Sequence, residues 1–537
     1  MSAELKKFLN SDFILMHKLI SLFICTIISF GISAQDFVDP GEKYANTITA
    51  EELKDNLSII ASDYFEGRET GTVGLVRAAE YISGQFKKAG IQPMEQLGSY
   101  YKDYPLIEYG WESPMMSDKK NVYAFMQDFY GYATSNNTVT INANEIIFLG
   151  YGIDDSIYSD YDKTDVAGKI ILVAYGEPIQ NGTSIFTKNE TLSEWTTDWR
   201  KKVNAATEHK VKCILMVDPN FGKTVSNPQW VNFLTGNLLK LKSEYQHSSY
   251  CNNFFVSEQM AETVLGKKKK SMIKSLSAIN STLQPSNFSF SSSFYINTVK
   301  SERVVYADNV LGFVEGSDLK DQVVVVSAHY DHLGKIGDTI YNGADDDGSG
   351  TVALIEMAEA MQQAKMDGAG PRRSVLFIAF SGEEKGLLGS KSYAEDPVIP
   401  FKNTVADLNI DMIGRIDEFH KEDSNYIYII GSDFLSKELH AINESAAKTY
   451  TNLKLDYKYN STTDPNRYYY RSDHYNFAKN NIPVIFYFSG SHADYHKPTD
   501  DIEKINFNLM TNRARLVFHT LWILANQDHR VSAEVTN

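Results

Sequence analysis

Four apolar runs, each brought to a stop by groups able to bind a cation, constrain this chain more than any other feature. QVVVVSAHYDH ends in His329 and Asp331 and leads into NGADDDGSG with Asp345, Asp346 and Asp347. SVLFIAF runs into SGEEKGLLGS, with Glu383 and Glu384. TVADLNIDMIG carries Asp411, and IPVIFYF is followed by SHADYHKPTDD with His492 and His496. Continuous rather than alternating hydrophobicity marks strands covered on both faces. Helical patterns separate them. SGTVALIEMAEAMQQA turns Val352, Ile355, Ala358 and Met357 or Met361 inward, and RARLVFHTLWILA closes the chain. This strand–loop–helix rhythm, from about residue 308 onward, predicts an α/β fold: three layers, α/β/α, around a mixed, mostly parallel sheet. Ligands of such sheets bind at the carboxyl ends of the strands, and all four polar groups fall on that edge.

Adjacent glutamates repel, and neither gains from lying beside a core unless something positive is bound there. A single acidic residue at a strand end is usually solvated or caps the next helix. Four such groups in succession on one edge point to a metal site. Carboxylate and imidazole without thiolate suit zinc or a similar divalent ion in a catalytic setting. Two histidines and three carboxylates exceed the three protein ligands of one open catalytic zinc, which argues for two ions sharing a bridging carboxylate. One glutamate of the pair then binds metal, and its neighbour is free to act as general base.

The chain's 537 residues exceed what one core holds, so two domains or a large insertion are expected. A composition 43% hydrophobic and 22% charged is that of a globular protein, and a formal charge of −16 excludes the basic face of a nucleic-acid binder. Residues 1–34, or 16–34 if Met16 is the start, read as a signal peptide: Met16-His17-Lys18 precedes the short apolar stretch LISLFICTIISFGISA, with cleavage after Ala34. Export to the periplasm or outside the cell follows, with no membrane association after removal. Cys213 and Cys251 are then too few for a disulfide scaffold or a thiolate metal site. Helices are expected over 49/50–61 and 75–89, joined by the glycine-punctuated loop FEGRETGTVG. Short β-rich runs from about 120 to 290 suggest a mainly β module, and Lys267–Lys270 a solvated helix end. The expected division is 35–118 for the first part of the main domain, 119–298 for the insertion and 299–537 for the rest.

In order and spacing, HYDHLG, GADDDGSG, SGEEKGLLGS, NIDMIG, RSDHYNF and DYHKPTDD resemble the motifs of the co-catalytic dizinc exopeptidases. That group, metallopeptidase family 28, includes bacterial leucyl-type aminopeptidases, glutamate carboxypeptidase and the transferrin receptor ectodomain. The resemblance implies that His329 and Asp411 hold one zinc, that Glu384 and His496 hold the other, and that Asp346 bridges them. It implies Glu383 as base, Asp331 as the carboxylate orienting His329, two Zn2+ or another divalent pair as cofactor, and a protease-associated domain as the insertion. The implied reaction is removal of N-terminal residues from peptide substrates. Carboxypeptidase action, which would need a cationic pocket from Arg471 or Arg303, is the alternative. Glutaminyl cyclisation and a non-catalytic receptor role are disfavoured by the full ligand set. Of the remaining polar residues, Asp345 and Asp347 are expected to organise their loop, His332 and His492 to be loop or surface residues, and Ser472 to cap a helix beside a structural His474. Tyr495 is expected at a developing oxyanion or in the core, and Arg471 and Tyr470 at the substrate pocket.

Overall fold

The four runs of the carboxyl-terminal half pair with one another in the computed structural model, which describes residues 40–534. The expected signal peptide, 1–34, lies outside the described residues. The large sheet contains β1 (Tyr101–Trp111), β2 (Leu238–Leu241), β3 (Lys300–Val314), β4 (Leu319–His329), β5 (Arg373–Phe380), β6 (Thr404–Ile410), β7 (Tyr426–Ile430), β8 (Lys454–Asp456) and β9 (Val484–Phe488). Their order across the sheet is β2-β1-β3-β5-β4-β6-β9-β7-β8. The centre, β5-β4-β6-β9, is parallel, with Val324 opposite Val375 and Leu408 opposite Ile485. The flanks differ from the mostly parallel expectation. β3 joins β5 antiparallel, β1 and β2 continue antiparallel beyond it, and β7 is antiparallel to β9. The cause lies in the connection: the chain leaves at the end of β1 and returns along the same edge as β3, so no crossover helix is needed.

Burial explains the unbroken hydrophobicity of the central strands. Val324, Val326, Val375 and Phe377 join the core on one face, and Val323, Val325, Leu376 and Ile378 join the core on the other. The first face is covered by α1 (Ala50–Ile60), α2 (Val73–Lys88), α3 (Gly350–Met366) and α4 (Phe507–Asn526). The second is covered by the shorter helices Leu388–Glu395 and His474–Ala478. α1 starts where a capping box predicts: Thr49 Oγ1 accepts from Glu52 N at 3.2 Å and donates to the Glu52 carboxylate at 2.8 Å.

α3 lies between α1, α2 and the sheet and is buried almost all round, Glu356 included at 5% exposure. Burial, with Glu52 and Glu359 nearby, pushes this carboxyl up to about 8, against a hydrogen bond from Asn56 Nδ2 at 2.6 Å and the charge of Lys88. Its pKa is therefore higher folded than unfolded. The protonated form favours the fold, and stability is lost as pH rises from the ordinary carboxylate range through about 8. Glu356→Gln keeps an acceptor for Asn56 without the charge. It should raise Tm at pH 9 by several degrees and leave Tm near pH 5 almost unchanged, as thermal melts at the two pH values would show.

The segment after β1 builds a second sheet of eight strands around its own apolar cluster, which includes Phe148, Ile171, Leu215 and Phe254. It is not mainly β as expected. Helices Trp199–Glu208, Pro228–Thr235, Glu258–Leu265 and Lys269–Thr282 accompany parallel strands Val139–Phe148, Ile170–Val173, Cys213–Val217 and Asn252–Val256. Of these, Lys269–Thr282 buries Ser275 and Ile279 alone, a stripe too narrow to show a clear helical period. Nor is the excursion self-contained. β2 leaves it to pair with the edge of the large sheet, Leu106 opposite Leu241. Cys213 is buried in this second core, and both it and Cys251 are free thiols.

Candidate metal centre

The parallel strands deliver their terminal side chains to one place. His329 is the last residue of β4, Glu383 and Glu384 follow β5, and Asp411 follows β6. Asp346 comes from the loop before α3, and His496 from the turn after β9. Asp346 is at the middle: Oδ1 lies 3.4 Å from His329 Nε2 and Oδ2 lies 3.1 Å from His496 Nε2. On one side, His329 Nε2 is 3.7 Å from Asp411 Oδ1 and 3.9 Å from Glu383 Oε2. On the other, His496 Nε2 is 3.1 Å from Glu384 Oε2. His329, Glu383 and Asp411 form one group compact enough to hold a cation, and His332, Asp346 and Glu384 form another.

The donor atoms suit such a cation. His329 Nε2, Asp346 Oδ2 and Glu384 Oε1 are buried without a hydrogen-bond partner, a costly state for polar atoms in a protein interior. Mutual electrostatics are equally strained. Burial pushes the Glu383 carboxyl well above its ordinary range; His329 opposes this, while Glu384, Asp411 and Asp473 add to it. Burial also works against ionisation of Asp346, but the His332, His329 and His496 imidazoles win and hold it well below the usual range. His496 is driven the other way, up to about 10, because Asp346 and Glu384 outweigh its burial. Nitrogen and oxygen donors facing a surplus of carboxylates make a site for hard or borderline divalent ions.

A surrounding layer holds these groups. Asp331 lies behind His329, whose Nδ1 is 3.2 Å from the Asp331 carbonyl and 3.7 Å from its carboxylate. That carboxylate accepts from Thr70 Oγ1 at 2.8 Å and from the Glu383 amide at 3.1 Å, so it ties Glu383 to the strand that carries His329. Asp331→Asn puts an amide N–H against one of these donors. A 10- to 100-fold loss in kcat is the expected result, roughly the cost of losing such a support, read by steady-state kinetics. Asp347 accepts from the amides of Gly350 and Met412, and Asp345 from Gly414, which pins the Asp346 loop to α3 and to the end of β6.

Several residues differ from expectation. His332 and His492 lie on loops, but neither side chain is at the surface: His332 is buried and faces Glu384, and His492, a half-buried residue, turns its ring inward with Nε2 3.2 Å from Asp345 Oδ2. Ser472 caps nothing and instead accepts from Asn409 Nδ2 at 2.9 Å. His474 stacks on Phe486. Tyr495 stacks on His496, and its hydroxyl accepts from Arg471 at 3.2 Å. Both Tyr495 and Arg471 line a recess of about 30 Å³ with Asp346, Glu383, Asp411 and Phe488.

Three further residues had not been singled out. Arg68, buried in FEGRETG, donates to the carbonyls of Tyr330, Asn342 and Gly343 and so braces both metal-facing loops. Asp500, in DYHKPTDD, accepts from the amides of Asp345 and Asp346 at 3.1 Å. Asp473, in RSDHYNF, is buried, and burial reinforced by Asp331 and Asp411 pushes it up to about 7, against the pull of His329. The motifs that contain them were the available signal.

Residues 309–521, which include every one of these strand-end groups, match the model of Peptidase family M28. It is 25% identical over 293 residues to leucine aminopeptidase 1 of Fusarium vanettenii, covering 50% of this chain and 72% of that one. It is 28% identical over 219 residues to aminopeptidase YwaD of Bacillus subtilis, covering 39% of this chain and 43% of that one. The fold is that of an aminopeptidase from Aneurinibacillus, with a TM-score of 0.52 at 17% identity over 92% of this chain and 98% of the other.

Proposed function

We propose that this protein is a zinc-dependent aminopeptidase. The observation that carries the reading is the convergence of buried, partnerless donor atoms on either side of Asp346, with Glu383 beside them. The similarity to leucine aminopeptidase 1 and aminopeptidase YwaD supports it, as does the fold shared with a zinc aminopeptidase of Bacillus subtilis. In this reading His329 and Asp411 would hold one ion, Glu384 and His496 the other, and Asp346 would serve both. Bound zinc supplies Lewis acidity. Glu383, as the carboxylate, would take a proton from the attacking water and return it to the leaving amine; burial and its acidic neighbours raise its pKa and so make that carboxylate a stronger base. Tyr495 acts as a neutral donor. Burial and the Asp346 and Glu384 carboxylates raise its hydroxyl well above the ordinary range, and Arg471 occupies one of its lone pairs, so its own hydrogen is free to meet a developing oxyanion.

A cleft of about 600 Å³ beside the site is lined by Glu384 together with Gln229, Asn232 and Phe233 of the inserted segment. We read that segment as a protease-associated-like module that contacts the peptide. A free α-ammonium group suits the carboxylate surplus. Lys385 and Arg303, the cations of the cleft, are engaged by Glu69 at 2.7 Å and Glu108 at 2.9 Å. Arg471, with no carboxylate at ion-pair distance among the described residues, is the observation that favours a carboxypeptidase instead. Aminoacyl p-nitroanilides and N-acetylated peptides separate the readings. Cleavage of the former and inertness of the latter are expected; release of C-terminal residues from blocked peptides would overturn the aminopeptidase reading. Export rests on the apolar stretch before Ala34; among the described residues no helix is long and apolar enough to cross a membrane.

A further inference from the structure

We propose that His332 is an additional metal ligand, on the Glu384 side of the centre. Its Nδ1 lies 2.8 Å from Glu384 Oε1 and 3.8 Å from Asp346 Oδ2. The short contact does not meet hydrogen-bond geometry: His332 Nδ1, Glu384 Oε1 and Asp346 Oδ2 are all buried without a partner. Three such lone pairs within reach of a common point are what a cation satisfies and a proton does not.

The ring is held there. A Cβ at Gly343, which takes φ +54, would come within 2.5 Å of His332 Cγ and Cδ2, so only a glycine gives the imidazole its seat. The His332 amide donates to the Arg68 carbonyl at 3.3 Å, and the His496 ring meets it edge-on at 5.9 Å. The inference rests on the two-metal reading and adds an asymmetry to it. The Glu384 half would then have four protein residues to draw on, His332, His496, Glu384 and Asp346, enough to fill a zinc without an open position. The other half keeps three, His329, Asp411 and Asp346, an open set. Glu383 belongs to the open half, 3.9 Å from His329 Nε2. His332 thus assigns one ion to holding the centre together and leaves the other the position that chemistry uses.

The test is zinc K-edge absorption on the full chain loaded with zinc, paired with titration of zinc into metal-free wild type and His332→Asn. Three imidazoles over two ions give an average of about 1.5 per zinc, against about 1 if His332 is only a neighbour of Glu384. Asparagine can imitate an Nδ1 hydrogen bond but is a poor zinc ligand. One of the two sites should weaken by about 10- to 100-fold while the other, and the melting temperature of the metal-free protein, stay put. An average of one imidazole per zinc in wild type, or unchanged affinities in His332→Asn, would overturn the proposal and leave the two-metal reading standing. Wild type that binds no zinc would overturn both. Should the variant not fold, the wild-type absorption decides by itself.

Discussion

Glu383→Gln is expected to lower kcat on an aminoacyl substrate by about 10³-fold while the metal content stays near two per chain. Glutamine has the shape of glutamate and can keep the backbone link from the 383 amide to Asp331. It cannot accept a proton. Glu383 is suited to that task by its surroundings: a carboxyl raised by burial and by Glu384, Asp411 and Asp473 holds a proton in the middle of a catalytic cycle better than an ordinary glutamate. It lies 3.9 Å from His329, close to the metal-facing atoms without being central to both groups as Asp346 is. Steady-state kinetics together with elemental analysis decide the matter. Retained activity would remove Glu383 from the base role, and lost metal would move it into the ligand set.

Asp346→Asn should be more damaging still. One carboxylate faces both halves, Oδ1 toward His329 and Oδ2 toward His496. The amide offers one weak donor and a pair of N–H groups where an anion stood, so neither half is completed. The expected result is a metal content below one per chain and activity at background, with the loss not recovered by millimolar zinc. The fold should survive the change, because the loop is held independently by Asp345, Asp347 and Asp500 through backbone amides. Circular dichroism and metal analysis on the same sample test this. Two ions retained by Asp346→Asn would contradict the bridging role.

The parts of the molecule legible in the amino-acid sequence were those with a local cause. Val323–Val326 and Val375–Phe380 are apolar without interruption because each strand has helices on both faces, and the polar groups at their ends stand out against that background. α1 announces itself through Thr49 and Glu52, three residues apart. What could not be read has causes far away in the chain. β7, Tyr426–Ile430, is a five-residue run flanked by polar loops, and it becomes part of the sheet only by meeting β9. The direction of β3 depends on where the chain returns after an excursion of nearly two hundred residues. A histidine in HYDH looks like any loop histidine until Gly343 and Glu384 are brought against it. Arg68 lies more than two hundred and fifty residues from the carbonyls it braces. Such roles belong to packing, which a single sequence does not display.

The most direct test of the account is elemental analysis of the purified protein, coupled to an aminoacyl p-nitroanilide assay before and after chelation. Two zinc ions per chain, activity abolished by the chelator and restored by zinc, is the result expected of four side chains gathered around Asp346 with Glu383 alongside. Protein that carries no metal, or that cleaves the substrate undiminished in excess chelator, would contradict it.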